Sequence, residues 1–253
     1  MSIADSIFLA NCNEILRYGV WDTDLPVRAK WSDGSPAHTI KKFGIVNRYN
    51  LSEEFPITTY RKTNLENSID EILWIWQLKS NNVKDLKSHI WDNWASPNGS
   101  IGKAYGYQLG VKHMYTEGLF DQVDRIIFDL KNNPSSRRII SNVYVHADLH
   151  EMNLYPCAYS LTLNVADGRL NGILNQRSQD MLVANNWNVC QYAVLLHMFA
   201  QVSNLSVGEL IHVISDAHIY DRHIPIIEHV ISNTPFPAPK FINDNSVKDF
   251  HAF

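Results

Sequence analysis

The chain has 253 residues, 45% of them hydrophobic and 19% charged, with a formal net charge of −4 at pH 7. That balance suits a folded globular protein and gives no global electrostatic reason to bind nucleic acid or an anionic membrane. Its three cysteines (Cys12, Cys157, Cys190) lack CxxC spacing and its eleven histidines form no HExxH run, so neither a disulfide framework nor a metal site is suggested.

The first twenty residues mix Asp5, Asn11, Asn13, Glu14 and Arg17 with apolar positions, unlike the apolar core of a signal peptide. No window approaches the length of a membrane span, and a soluble cytoplasmic protein is expected. Cys12 reads as a small buried hydrophobe. Leu65 to Ser80 places Ile69, Ile72, Leu73, Ile75 and Trp76 at helical spacing. Asp121 to Asn132 repeats that pattern and stops at Asn132-Asn133-Pro134. Strands are predicted over 138–145, 160–165, 169–175 and 211–214. Val189, Tyr192, Ala193, Leu195, Leu196 and Phe199 form a helical pattern that takes Cys190 into or near the core. There is no repeat, no linker and no Gly-rich phosphate loop, so one α+β domain over 1–253 is expected.

Tyr155-Pro156-Cys157-Ala158 is the most informative stretch. It is followed by the alternating Leu161, Leu163 and Val165, the turn Ala166-Asp167-Gly168, and a returning segment that ends in Asn175-Gln176-Arg177-Ser178-Gln179-Asp180. This is a hairpin pattern, and it brings Cys157 and Arg177 side by side. A cysteine attacks as its thiolate, and a neighbouring guanidinium favours that form. Arg28, Arg137, Arg138 and Arg177 stand in loop-like segments; together they suit a phosphomonoester, and apart they are solvated surface arginines.

Several motifs now share one order. They are Glu71 in Asp70-Glu71-Ile72-Leu73-Trp74, Ile90-Trp91-Asp92-Asn93-Trp94, Tyr105-Gly106, Pro134-Ser135-Ser136-Arg137-Arg138 and Pro156-Cys157. Gln176-Arg177-Ser178-Gln179-Asp180, Asn188 and Asp216-Ala217-His218-Ile219-Tyr220 complete the set. From about Val27 to His223 the chain resembles the thymidylate synthase superfamily. The resemblance implies an α+β fold with a large mixed sheet, one face of which forms a homodimer interface. It makes Cys157 the nucleophile at C6 of a pyrimidine nucleotide. Arg177, Arg28 and Ser178 would bind its phosphate, with Arg137 and Arg138 supplied by the other subunit. Asn188 would read O4 and N3 of the base, with Gln176 also among the substrate-binding residues, and His218 and Tyr220 would hold the sugar. Glu71, Trp91, Tyr105 and Asp180 would serve proton transfer and the co-substrate 5,10-methylenetetrahydrofolate. No metal, membrane or DNA is implied as a partner.

The chemistry accounts for these residue types. C5 of uracil becomes nucleophilic only after a thiolate adds at C6. Donors fixed near O4 stabilise the resulting enolate, each worth ~3–4 kcal/mol when preorganised. Transfer of the one-carbon unit then leaves an exocyclic methylene: hydride makes it methyl, water makes it hydroxymethyl. An asparagine at 188 suits uracil, where the cytosine hydroxymethylases of this superfamily carry aspartate; alone, it also suits a helix cap.

Departures from the synthase pattern are Ala158 after the nucleophile, Ala184-Asn185-Asn186-Trp187-Asn188 for Gly-x-Pro-Phe-Asn, Ser215 before Asp216, and Tyr60 for a lysine. The chain also ends at Phe253, before the tail with which synthases close over the folate. These features lead to the expectation of a hydroxymethylase making 5-hydroxymethyl-dUMP in a bacterial or phage-infected cell. The alternatives are reductive synthesis of dTMP and a non-catalytic nucleotide- or RNA-binding relative.

Overall fold

Alternation of apolar and polar side chains along its strands gives the chain a sheet with one buried face. The computed structural model describes residues 1–253. It begins with helix α1 (Ile3–Tyr18), strands β1 (Val20–Trp21) and β2 (Thr39–Asn50), and helix α2 (Leu65–Trp76). A short helix α3 (Gly106–Gly110), a small hairpin of β3 (His113–Tyr115) and β4 (Gly118–Phe120), and helix α4 (Gln122–Asn132) follow. Then come β5 (Ile139–Asn142), β6 (Ala158–Ala166), β7 (Arg169–Gln176) and β8 (Gln179–Asp180). Helix α5 (Trp187–Val202), the long strand β9 (Ser206–Tyr220) and helix α6 (Ile224–Ile231) complete the order.

Seven strands form one sheet in the order β1-β2-β9-β7-β6-β5, with β8 paired beside β9. β7 and β8 run parallel to β9 while the remaining pairs are antiparallel, so the sheet is mixed as expected. Leu170, Leu174 and Gln176 of β7 and Leu210, His212 and Ile214 of β9 lie buried on one face. The largely buried helix α5 packs there through Val189, Cys190, Leu195, Leu196 and Phe199. A second cluster joins Phe8, Cys12 and Ile15 of α1 and Ile227 of α6 to Ile40, Ile45 and Ile219 of the sheet. The other face stays open, with Val46, Ile140 and Ile173 exposed.

The β6–β7 hairpin turns on Asp167 (φ 49°) and Gly168 (φ 68°), both left-handed, as a two-residue turn of primed type requires. Ala158 pairs with Gln176 at its open end, which sets Cys157 beside Arg177. The predicted helix over 65–80 ends at Trp76, because Leu78 turns back to bond Leu73 and Lys79 adopts φ 51°. The strand predicted over 138–145 is confined to 139–142, and the one over 211–214 is the middle of the much longer β9. The sequence reading missed β2, in which Gly44 at φ 77° interrupts the alternation.

Gly106 fixes the approach of the Tyr105 segment to the turn after α2, since a Cβ there would lie 2.2 Å from the Ser80 carbonyl oxygen. Backbone must move to admit it. Gly106→Ala is expected to cost ~1–3 kcal/mol, lowering the Tm by roughly 2–4 °C per kcal/mol. A thermal scan with an unchanged midpoint would contradict the close packing of this turn.

Candidate active site

Cys157 lies immediately before β6, and its carbonyl accepts from the Arg177 backbone N–H at 2.9 Å. That bond extends the hairpin ladder by one step and places the Arg177 guanidinium 3.7 Å from the Cys157 sulfur. The same guanidinium is anchored on the Pro156 and Tyr155 carbonyls at 2.9 and 2.8 Å, so its position is set by the backbone leading to the thiol. Burial pushes the Cys157 thiol up, while Arg177, then Arg28 and the Tyr105 hydroxyl, pull it down. Burial wins in the free protein. The sequence reading weighed only the guanidinium, and the balance is corrected by the depth of the site.

Tyr105 stands beside Cys157. Its hydroxyl oxygen accepts from the Cys157 backbone N–H at 2.9 Å, and its ring packs edge-on against Trp91 with centroids 5.3 Å apart. Its backbone is held at φ 45°, ψ −103°, a strained conformation for a bulky residue, worth ~1–3 kcal/mol. That strain sits at the wall of the thiol pocket.

A polar cleft of about 310 Å³ opens on one side of the Cys157–Arg177 pair. Arg28, Arg177, Ser178, His218 and Tyr220 all line it, so the structure unites three segments that lie far apart in sequence. His218 Nδ1 lies 2.8 Å from Asp216 Oδ1, which orients the ring and leaves Nε2 for another partner. Lys41 lies 3.4 Å from the same carboxylate, and Asp216 is held below the usual carboxylate range by His218 and Lys41 against the opposing effect of its burial. Arg137 and Arg138 are exposed ahead of β5 and do not line this cleft. Asp180 does not line this cleft: its Oδ1 accepts from the Leu182 and Val183 N–H groups, and its Oδ2 is 4.0 Å from His223 Nδ1.

On the other side lies an apolar cavity of about 280 Å³ bordered by Ile75, Ile90, Trp91, Trp94, Val183 and Trp187. Cys157 is at its mouth, and Glu71, Asn188 and Gln191 are its polar points. A narrow aromatic-walled space with a few fixed polar groups fits a flat heteroaromatic ring, such as the pteridine of a folate. Glu71 is buried, and its two oxygens accept from Trp91 Nε1 (2.6 Å), Trp187 Nε1 and Gln191 Nε2 (2.7 Å). Burial raises its carboxyl above the usual range despite these bonds.

From Glu71 a polar chain runs to the base-reading candidate. Gln191 gives its amide hydrogens to Glu71 and the Ser68 carbonyl, which leaves its oxygen to accept from Asn188 Nδ2 at 3.0 Å. Asn188 Oδ1 accepts from Gln176 Nε2 at 3.2 Å, and Gln176 also donates to the Ser178 carbonyl at 2.9 Å. Asn188 therefore has one N–H and one lone pair to offer, in a fixed order. It is not a helix cap: Asn186 occupies the cap position of α5.

Two of the departures have structural counterparts. Tyr60 is buried against Phe8, so it belongs to the second core cluster. Asn186 has φ 67°, which a proline cannot adopt, and its amide ties Pro56 and Thr58 to the loop at 2.7 and 2.6 Å. Trp187, Gln191, Asp216 and His212 are polar participants that sequence reasoning did not assign. The one readable signal was Trp187, which adds an N–H donor where the family has phenylalanine.

The thymidylate synthase family model matches residues 6–253. A thymidylate synthase of Bacillus subtilis subsp. natto is 43% identical over 258 residues, spanning 100% of this chain and 92% of the relative. That of Bacillus phage phi3T is 42% identical with the same coverage. The solved thermostable thymidylate synthase A from Bacillus subtilis superposes with a TM-score of 0.94 at 42% identity, over 99% of this chain and 91% of that one. The chain belongs to the thymidylate synthase family.

Proposed function

We propose that the chain is a thymidylate synthase that methylates dUMP at C5, acting through one catalytic domain over residues 1–253 in the cytoplasm. The observation that carries this reading is the Asn188 carboxamide, clamped on both sides with an N–H and a lone pair free, in a cavity whose mouth holds the Cys157 thiol. Uracil presents a carbonyl at C4 and an N–H at N3, which complement that order. Cytosine presents the reverse.

Cys157 adds to C6 as its thiolate, and Asn188 stabilises the enolate oxygen that develops at C4. Arg177 attracts both the sulfur and the nucleotide phosphate, joined in the cleft by Arg28 and Ser178. His218, oriented by Asp216, and Tyr220 hold the sugar hydroxyl. Methylenetetrahydrofolate, when bound, supplies the carbon and the hydride. Glu71 and Trp91 organise the polar end of the cavity that receives it, and Glu71, with its raised pKa, exchanges a proton with the base through water. Asp180, whose Oδ1 holds the N–H of the cavity residue Val183, would support the folate through that loop. The open sheet face suits docking of a second copy, in which case the exposed Arg137 and Arg138 reach the phosphate site of that copy.

The expected hydroxymethylase drew its weight from the position of the chain end and from altered folate contacts. Relatives named thymidylate synthase align along the whole chain at 42–43% identity, with no comparable support for hydroxymethylation. The reductive branch is therefore favoured. Purified protein given dUMP and methylenetetrahydrofolate should yield dTMP and dihydrofolate by mass spectrometry. 5-Hydroxymethyl-dUMP with tetrahydrofolate would overturn this in favour of the hydration branch.

Thiol chemistry offers a second check. Cys12 and Cys190 are fully buried, so iodoacetamide should label Cys157 selectively. Its labelling should rise with pH about a midpoint above that of an ordinary cysteine, because burial raises its pKa in the free protein. Arg177→Gln removes the largest lowering influence, so the midpoint should move further up. A midpoint that stays put or falls would contradict the Cys157–Arg177 coupling.

A further inference from the structure

Gln176 is held by three groups: Ser178 of the polar cleft, Asn188 of the apolar cavity, and His212, which lines neither. Its Nε2 donates to the Ser178 carbonyl and to Asn188 Oδ1, so its Oε1 must be the acceptor at the other end. That oxygen lies 2.8 Å from Nε2 of His212, on the core face of β9. His212 and Gln176 are both buried, so a mismatch between them would meet no water to relieve it.

The protonation of His212 follows from this geometry. Two acceptors at 2.8 Å repel, so Nε2 must bear the hydrogen. Nδ1 is buried without a partner, which a lone pair tolerates better than an N–H would. Burial also pushes the His212 pKa down to about 3, which keeps the ring neutral and limited to one hydrogen.

We propose that His212 is a positioning residue that selects uracil over cytosine: its Nε2–H fixes Gln176, which with Gln191 fixes the orientation of the Asn188 carboxamide. To read cytosine, Asn188 must turn its oxygen toward the exocyclic amine. That turn would set its nitrogen against Gln176 Nε2 and its oxygen against Gln191 Oε1. Relief on the Gln176 side requires Gln176 to rotate, and Nε2–H of His212 blocks that rotation by facing its amide hydrogens. Gln191 is blocked in the same way by the Glu71 carboxylate and the Ser68 carbonyl. Base choice is thus set from a strand of the core as well as from the cavity. The inference rests on the reading of the site as one for dUMP.

Two measurements test it. Nitrogen-15 NMR of the intact protein, with the His212 signals assigned by their loss in His212→Gln, reports the tautomer directly. A protonated-type Nε2 and an unprotonated-type Nδ1 are expected, and an Nδ1–H tautomer would overturn the proposal whether or not His212→Leu folds. Calorimetric titration of dUMP and dCMP into folded His212→Leu should show the dUMP preference reduced ~three- to tenfold, the worth of one buried hydrogen bond. His212→Gln, whose amide can still donate at that place, should keep the preference. A folded His212→Leu with the wild-type preference would overturn the role of His212. A wild-type protein that does not prefer dUMP would instead sink the dUMP reading, while the NMR result would still decide the His212–Gln176 bond.

Discussion

The structure of the site depends on one buried carboxylate. Taking an ionised Glu71 out of water costs several kcal/mol, and only hydrogen bonds to charge, at roughly 1.5–3 kcal/mol each, can offset that. The bonds come from Trp91 in a loop and from Trp187 and Gln191 at the start of α5, while Glu71 itself is on α2. Satisfying one acidic side chain therefore draws three segments to the same point. Each donor has a further duty. The two indoles wall the apolar cavity, and Gln191, with its nitrogen committed to Glu71, can offer Asn188 only its oxygen.

The Cys157 thiol is governed by a different balance. Packing Cys157 against Tyr105 and the cavity wall removes it from water, which disfavours the thiolate, and Arg177 and Arg28 oppose that effect. The hairpin makes the opposition dependable, since the Arg177 side chain is anchored on the carbonyls just before the cysteine. The strained backbone of Tyr105 belongs to the same arrangement, because its hydroxyl fixes the Cys157 N–H.

Local patterns in the sequence disclosed local structure. Alternation around Asp167-Gly168 gave the hairpin, and the hairpin alone placed Arg177 by Cys157. The polar cleft was not legible from spacing, because Arg28 reaches it from a loop before β2 while His218 and Tyr220 arrive at the far end of β9. Resemblance named those residues; tertiary pairing of β2 with β9 is what unites them. The relay from Glu71 through Gln191, Asn188 and Gln176 to His212 was less legible still. His212 and Gln176 occupy inward positions of β9 and β7, where a pattern reader expects apolar residues and finds no partner nearby in sequence. Their polarity makes sense only as a pair.

Covalent attack by Cys157 on the base is the central claim, and a stalled adduct tests it most directly. Fluorine at C5 cannot leave as a cation, so incubation with 5-fluoro-dUMP and methylenetetrahydrofolate should preserve the sulfur–C6 bond for peptide mapping. The account predicts a nucleotide-bearing peptide containing Cys157 and unmodified peptides containing Cys12 and Cys190. Modification at either of those two cysteines, or none at Cys157, would contradict it.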